Sequence, residues 1–230
     1  MINKQVHTAA EAVADIAAGA TIMIGGFGTA GMPDLLIEAL RTRAPRDLTV
    51  ISNNAGNGES GIAALIASRL VRRIICSFPR QSDSHHFDTA YQAGEIELEL
   101  VPQGNLAARI EAAGAGLGGI FTPTGFGTLL AAGKECRRIG ERDYVLEMPI
   151  HADFALIKAH KADRWGNLVY RKSARNFGPI MAMAATSTIV QVDEIVPLGV
   201  LDPEAIVTPG IFVRHVVLTS CQMTVGASGN

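Results

Sequence analysis

The segment Thr21-Ile22-Met23-Ile24-Gly25-Gly26-Phe27-Gly28-Thr29-Ala30-Gly31-Met32-Pro33 constrains the fold more than any other part of the chain. A short apolar run bounded by glycine reads as a buried strand. Four glycines then follow within seven residues. Pro33 falls where a first helical turn would begin, a position that tolerates a missing N–H. The unit reads strand, glycine loop, helix. Such a loop lets the backbone approach a ligand closely and aim several N–H groups at negative charge. A tight turn without a ligand needs one or two glycines, and this density directly after a strand favours a ligand loop.

The spacing Gly26-x-Gly28-x-x-Gly31 also fits the dinucleotide fingerprint, which requires an acidic residue about 20 positions on, at the end of the next strand. The next strand is Leu48-Thr49-Val50-Ile51, and it runs into Ser52-Asn53-Asn54. No acid is in place, so the dinucleotide reading fails. A phosphate-binding P-loop fails too, because no Gly-Lys-Ser/Thr follows the glycines.

The same alternation continues along the chain. Residues 8–18 have amphipathic helical spacing, 34–44 form the helix after the glycine loop, and Ile62 to Leu70 form another. Arg73 to Phe78 reads as a strand, Phe87 to Ala93 as a short helix, and Glu95 to Pro102 as a half-exposed strand. Asn105 to Ala113 is helical. Residues 114–133 hold seven glycines, and their aromatic and apolar residues mark a second ligand-facing loop rather than a solvated linker. Tyr144 to Met148, Phe154 to Ala159, Ile189 to Val196 and Phe212 to Leu218 read as strands, with a hairpin turn at Gly166-Asn167. Strands alternating with helices predict an open, mainly parallel α/β sheet flanked by helices. We expect one domain over residues 1–225 and a disordered tail at 226–230. In such sheets ligands bind beyond the carboxyl ends of the strands. The loops at 25–31, 52–58, 79–86 and 102–105 should therefore share one crevice.

Composition narrows the function. Apolar residues make up 48% of the 230 and charged ones 18%, against roughly 25% charged in an average soluble domain. The low charge predicts that part of the surface is covered by a partner. A net charge of −2 gives no reason to expect nucleic acid or an anionic membrane as partner. Cys76, Cys136 and Cys221 form no CxxC pair, which suits a reducing cytosol and argues against a disulfide scaffold or structural zinc. The first residues lack the apolar core of a secretory signal, and no apolar stretch reaches the ~18 residues of a membrane span. The expected location is cytoplasmic.

Asn53, Asn54 and Gln103 stand in loops at one end of the sheet. Each alone would read as a turn residue. Together, beside the glycine loop, Asn53 and Gln103 read as neutral amide donors for an oxyanion or carboxylate, able to donate without changing protonation state. Gly25, Gly26, Phe27 and Gly28 would shape the site, and Arg80 would supply one fixed cation for a second carboxylate. His85-His86 with Asp83 and Asp88 lacks zinc-site spacing and reads as a surface cluster, so no metal is expected. Cys76 reads as a core residue, and Glu59 is a weak candidate for a carboxylate nucleophile. The chain thus offers anion binders but no convincing nucleophile, which points to a nucleophile on another polypeptide.

Gly25-Gly26-Phe27-Gly28-Thr29-Ala30-Gly31-Met32-Pro33, Ser52-Asn53-Asn54-Ala55-Gly56, Pro102-Gln103-Gly104 and Arg171-Lys172-Ser173-Ala174-Arg175-Asn176-Phe177 together resemble the A subunit of family I CoA-transferases. The resemblance runs from about residue 1 to 219. Ala18 departs from the Asp or Asn that usually precedes Gly19, which removes a cap and no chemistry. Within the family, Cys76 to Asp83 and Asp163 to Asn167 look most like the 3-oxoadipate branch, which works in aromatic-compound breakdown (the β-ketoadipate pathway). The resemblance implies a CoA-transferase fold and a B subunit that carries the nucleophilic glutamate in a Ser-Glu-Asn-Gly motif. It implies a heterodimer or α2β2 heterotetramer and ping-pong transfer of CoA from succinyl-CoA to 3-oxoadipate. CoA would be a substrate, with no cofactor. Asn53 and Gln103 would bind the carboxylate or oxyanion, and the Gly25–Gly28 loop would shape the site at the subunit junction. The alternatives are an acetoacetate or other short-chain 3-oxoacid transferase and, from a different class, a non-catalytic metabolite-binding protein.

Overall fold

A computed structural model describes residues 2–220; the tail at 226–230 and Cys221 lie outside the described residues. The chain alternates as expected over its first half. Strand β1 (Thr21–Ile24) leads through the glycine loop to α2 (Asp34–Arg43), preceded by one short turn of helix, α1 (Ala9–Ala12). Then follow β2 (Leu48–Ile51), α3 (Gly61–Ala67), β3 (Val71–Cys76), α4 (His85–Gln92), β4 (Glu97–Leu100) and α5 (Gln103–Gly114). The expected helix over 8–18 closes after one turn, with the Thr8 hydroxyl capping the Glu11 N–H. Pro33 sits one position earlier than expected, as the residue before the helix rather than inside it.

The second half departs further from the sequence reading. Residues 114–133 run into β5 (Ile120–Thr122), which joins β6 (Cys136–Ile139) and β7 (Arg142–Glu147) in a small antiparallel sheet ordered β5-β7-β6. Strand β6 has no visible signal in the sequence, because Cys136-Arg137-Arg138-Ile139 is exposed throughout and shows no apolar face. Two long strands, β8 (Ala152–Asp163) and β10 (Ala185–Val196), flank β9 (Leu168–Val169) and α6 (Gly178–Ala184), and β11 (His215–Leu218) closes the main sheet. The hairpin at Gly166-Asn167 joins β8 to β9 as predicted.

The main sheet has the order β11-β10-β8-β1-β2-β3-β4, with β9 paired to β8. All pairings along that order are parallel. Its central strands are buried on both faces, and alternate residues enter two cores, while the edge strand β4 is half-exposed as its sequence predicts. Ile22, Ile24, Val50 and Ile74 pack with α1 to α4 on one side. Met23, Ile51 and Ile75 pack with Leu106 and Ile110 of α5 and Met181 of α6 on the other. This double burial is why the strands read as continuous apolar runs.

The chain leaves β1 in one direction through β2, β3 and β4, then returns to build β8, β10 and β11 on the other side of β1. The switch point between β1 and β8 is where open sheets of this kind leave a crevice.

The small sheet is tied down by charge. Glu147, only 3% exposed, takes Lys134 Nζ at 2.7 Å and Asn105 Nδ2 of α5 at 3.3 Å. Arg109 of α5 lies 3.8 Å from the same carboxylate and 3.0 Å from Glu99 at β4. A buried carboxylate with several partners holds its elements in register, and removing one partner is strongly unfavourable.

Gly56 and Gly199 have the same backbone angle, φ +87°. A Cβ on Gly56 would stand 2.2 Å from the Ala63 nitrogen, whereas one on Gly199 meets nothing within 4 Å. Gly199→Ala should therefore cost only the left-handed backbone penalty of ~1 kcal/mol, and Gly56→Ala at least ~2 kcal/mol more, because α3 must move. Urea midpoints of the two variants check this; equal shifts would contradict the close packing at Gly56.

Candidate active site

The glycine loop is held from the far side of the switch point. Asn176, in the segment between β9 and α6, accepts the Gly26 N–H at 3.2 Å through Oδ1. Its Nδ2 donates to the carbonyls of Ala30 at 3.0 Å and Ser173 at 2.9 Å. One amide thus clasps both ends of the loop. Gly31 is pressed against the same segment: a Cβ there would meet the Ala174 carbonyl oxygen at 2.5 Å. Phe27 and Ala30 exchange two main-chain hydrogen bonds, which folds the loop tip into a tight turn at Gly28 and Thr29. The glycines therefore serve both a turn and a close backbone contact.

Next to this loop, β2 ends and Asn53 begins the second wall. The main-chain carbonyl of Asn53 accepts the N–H groups of Ser77 and Phe78 at 3.1 and 3.0 Å. This carries the pairing of β2 with β3 past the last regular strand residue. The Asn53 side chain is 4% exposed, and its Oδ1 accepts from Ser77 Oγ at 2.8 Å and Gln103 Nε2 at 2.7 Å. With the oxygen so engaged, the Nδ2 end is the free one. Asn54 is used differently: its Oδ1 accepts the Gly56 N–H at 2.9 Å and closes a turn. Ser52 Oγ and Asn54 Nδ2 are buried without a partner among the described residues. Each such atom costs about 1–3 kcal/mol, a cost found mostly at functional loops.

Gln103 corrects one detail. It is the first residue of α5, not a free loop residue. One of its two amide hydrogens is already given to Asn53. Gln103 therefore orients Asn53 and keeps a single N–H for anything else.

The expected crevice is present. Phe27, Gly28, Asn53, Arg80 and Gln103 line one cavity of about 650 Å³, together with Ser77 and Phe78. Phe27 and Phe78 are 53% and 60% exposed, so two aromatic rings rim the Asn53 amide. Gly25 and Gly26 are buried and lie outside that lining, and a Cβ on Gly25 would stand 3.4 Å from the Ile157 side chain of β8. Arg80 is anchored: its Nε donates to Asp88 Oδ1 at 2.6 Å, and Ser84 Oγ donates to Asp88 Oδ2 at 3.0 Å. The two Nη groups of Arg80 are left over from that bond. No carboxylate, thiol or imidazole lines this cavity among the described residues.

The weak nucleophile candidates fall elsewhere. Cys76 is fully buried at the end of β3, and burial pushes its thiol up to about 12. Glu59 lines the neighbouring cavity beyond Gly28, not the one holding Asn53. The hydrogen bond from His86 holds the Glu59 carboxyl below the usual carboxylate range. No helix among the described residues is long and apolar enough to cross a membrane.

The sequence profile of the Coenzyme A transferase family matches residues 6–219. The chain belongs to that family. The A subunit of 3-oxoadipate CoA-transferase from Pseudomonas putida is 68% identical over 96% of this chain and 95% of its own length. Its namesake from Acinetobacter baylyi is 66% identical over 94% of this chain and 95% of its own. Glutaconate coenzyme A-transferase from Acidaminococcus fermentans superposes with a TM-score of 0.84 at 23% identity, covering 94% of this chain and 75% of that one. That last likeness is one of fold.

Two residues of this candidate site carried no assigned role in the sequence. Ser77 differs from any other serine after a strand only through its bond to Asn53. Asn176 precedes a helix, where asparagine is common as a cap, and its clasp on a loop 150 residues away has no local signature. Asn176→Ala removes hydrogen bonds at both ends of the glycine loop and should lower stability by about 1–3 kcal/mol. The Gly26 and Ala30 amides should show faster hydrogen exchange than in the parent. Unchanged exchange there would mean that the loop holds itself.

Proposed function

We propose that this chain is the A subunit of a 3-oxoadipate CoA-transferase, and that a B subunit brings the nucleophilic carboxylate to the crevice at Asn53. The observation that carries the reading is an oriented amide donor, the Asn53 Nδ2, in a cavity lined by no carboxylate, thiol or imidazole among the described residues. The names of relatives at 68% and 66% identity support the branch.

A glutamate of ordinary pKa, about 4.3, is a poor nucleophile toward a thioester. Its oxygen attacks the succinyl carbonyl, and negative charge develops on the former carbonyl oxygen. Donors fixed beforehand stabilise that charge without reorganising. Asn53 is held by Ser77 and Gln103, and a neutral amide offers no proton to be lost. Expulsion of the CoA thiolate leaves a mixed anhydride. The thiolate then attacks the glutamyl carbonyl, releasing succinate and leaving CoA on the enzyme as a thioester. The second acid repeats the two steps in reverse. CoA enters and leaves as a substrate, and the sequence of steps uses no further cofactor. Phe27 and Phe78 would exclude water from the anhydride and meet the B subunit, in keeping with two large apolar residues left exposed at the rim.

Purified alone, the chain should show no transferase turnover, and adding the B subunit should restore it. Within that complex Asn53→Ala should cut kcat by about 10²–10³-fold, the usual cost of one oxyanion donor. After incubation with succinyl-CoA, mass spectrometry of the separated polypeptides should find CoA on the B subunit. CoA on this chain, or full turnover by the single chain, would overturn the proposal.

Arg80 would hold the far carboxylate of a dicarboxylic acid. Asp88, itself held by Ser84, fixes its guanidinium, and a charged hydrogen bond contributes roughly 1.5–3 kcal/mol. Arg80→Ala should therefore lower kcat/KM for 3-oxoadipate by at least ~10-fold more than for acetoacetate. Equal losses with the two acids would favour the short-chain alternative.

A further inference from the structure

We propose that Glu59, His85 and His86 form a surface site for a first-row divalent transition metal of the zinc type, assembled from one loop and the first turn of α4 on the far side of the glycine loop from Asn53. The sequence shows only adjacent histidines in an acidic neighbourhood. The fold brings a third donor to them from a separate loop. Loop 57–58 docks on residue 83 through Gly58 N–H to the Asp83 carbonyl at 2.8 Å and the Asp83 N–H to Asn57 Oδ1 at 2.9 Å. That docking delivers Glu59 to the start of α4.

The donor atoms already have the right spacing. His85 Nε2 is 3.1 Å from Glu59 Oε1, and His86 Nε2 is 2.8 Å from Glu59 Oε2. One donor atom from each of the three residues lies within 4.8 Å of the other two. Adjacent ligands of a tetrahedral zinc ion, at about 2.0–2.2 Å from the metal, stand roughly 3.3 Å apart. Small rotations of exposed side chains close the remaining gap.

Behind His85, Asp83 Oδ1 lies 2.9 Å from Nδ1, which leaves Nε2, the ring atom facing Glu59, as the atom that would bind a metal. Asp83 then plays the part of the carboxylate that orients a metal-bound imidazole from behind. Two imidazoles and one carboxylate suit zinc and its neighbours, not calcium or magnesium. Glu59 keeps three-quarters of its side chain exposed, so a water can complete the coordination.

Zinc titration by calorimetry tests this on the full chain assembled with its B subunit, after stripping with a chelator. We expect one added site per copy of this chain with Kd near ~10 μM or tighter, and a rise of a few degrees in Tm at saturation. His85→Gln combined with His86→Gln should abolish that site, and Asp83→Asn should weaken it about 10-fold. Cobalt binding to the parent complex should give intense visible absorption from tetrahedral coordination, a readout that does not depend on how the variants fold. No saturable zinc binding below ~100 μM, far weaker than a built zinc site, equal binding by the double variant, or a weak octahedral cobalt spectrum would overturn the proposal. None of these readouts involves CoA transfer, so the metal site and the proposed function fail independently.

Discussion

The main-chain carbonyl of Asn53 is the contact on which the site depends. By accepting two successive N–H groups, from Ser77 and Phe78, it extends the β2–β3 pairing into what would otherwise be two independent loops. Ser77 is thereby delivered to the Asn53 side chain, and Phe78 to the rim. A parallel sheet makes this possible because both strands end on the same side, so their loops leave side by side. Gln103 arrives from β4 by the same logic, one strand further on. The amide cluster is thus a direct extension of sheet geometry.

The other wall is built by a contact across the switch point. Sheet pairing cannot hold the glycine loop, because the chain turns into α2 directly after it. Asn176 does so instead, joining a loop after β1 to a segment after β9. The distance in sequence is long, and its loop-closure entropy opposes folding once. Several hydrogen bonds and the close contact at Gly31 then offset it. The ion cluster at Glu147 plays the corresponding part for the small sheet, fastening it to α5 beside the crevice. Core packing fixes the layers, and these few polar clasps fix the loops against the layers.

The charge arrangement separates two kinds of work. Inside the crevice the donors are neutral amides, and Arg80, the cation that lines it among the described residues, is bonded to Asp88. Beyond the glycine loop, Glu59 lines a second cavity and pairs with His85 and His86, and Asp83 pairs with His85. Under the proposed function a thiolate or carboxylate would meet dipoles that are already oriented, and at the proposed metal site a cation would meet lone pairs. One loop, with Gly28 lining both cavities, divides them.

By itself the sequence determined the layered α/β class, the glycine loop and the gathering of four loops at one end of the sheet. Those features follow from local rules: apolar runs long enough for buried strands, glycine where the backbone must turn or approach closely, and the parallel pairing that alternating elements impose. The tertiary structure alone decided that Asn53 keeps its whole NH2 group free while Gln103 gives one N–H to Asn53, because that depends on which atoms of the two side chains meet. It alone decided that Asn176 clasps the loop, that 114–133 belongs to a small antiparallel sheet with an exposed β6, and that Glu59 meets two histidines. Each of these joins residues far apart in the chain through one or two hydrogen bonds. Such contacts leave no periodicity and no composition bias behind, so only the folded arrangement reveals them.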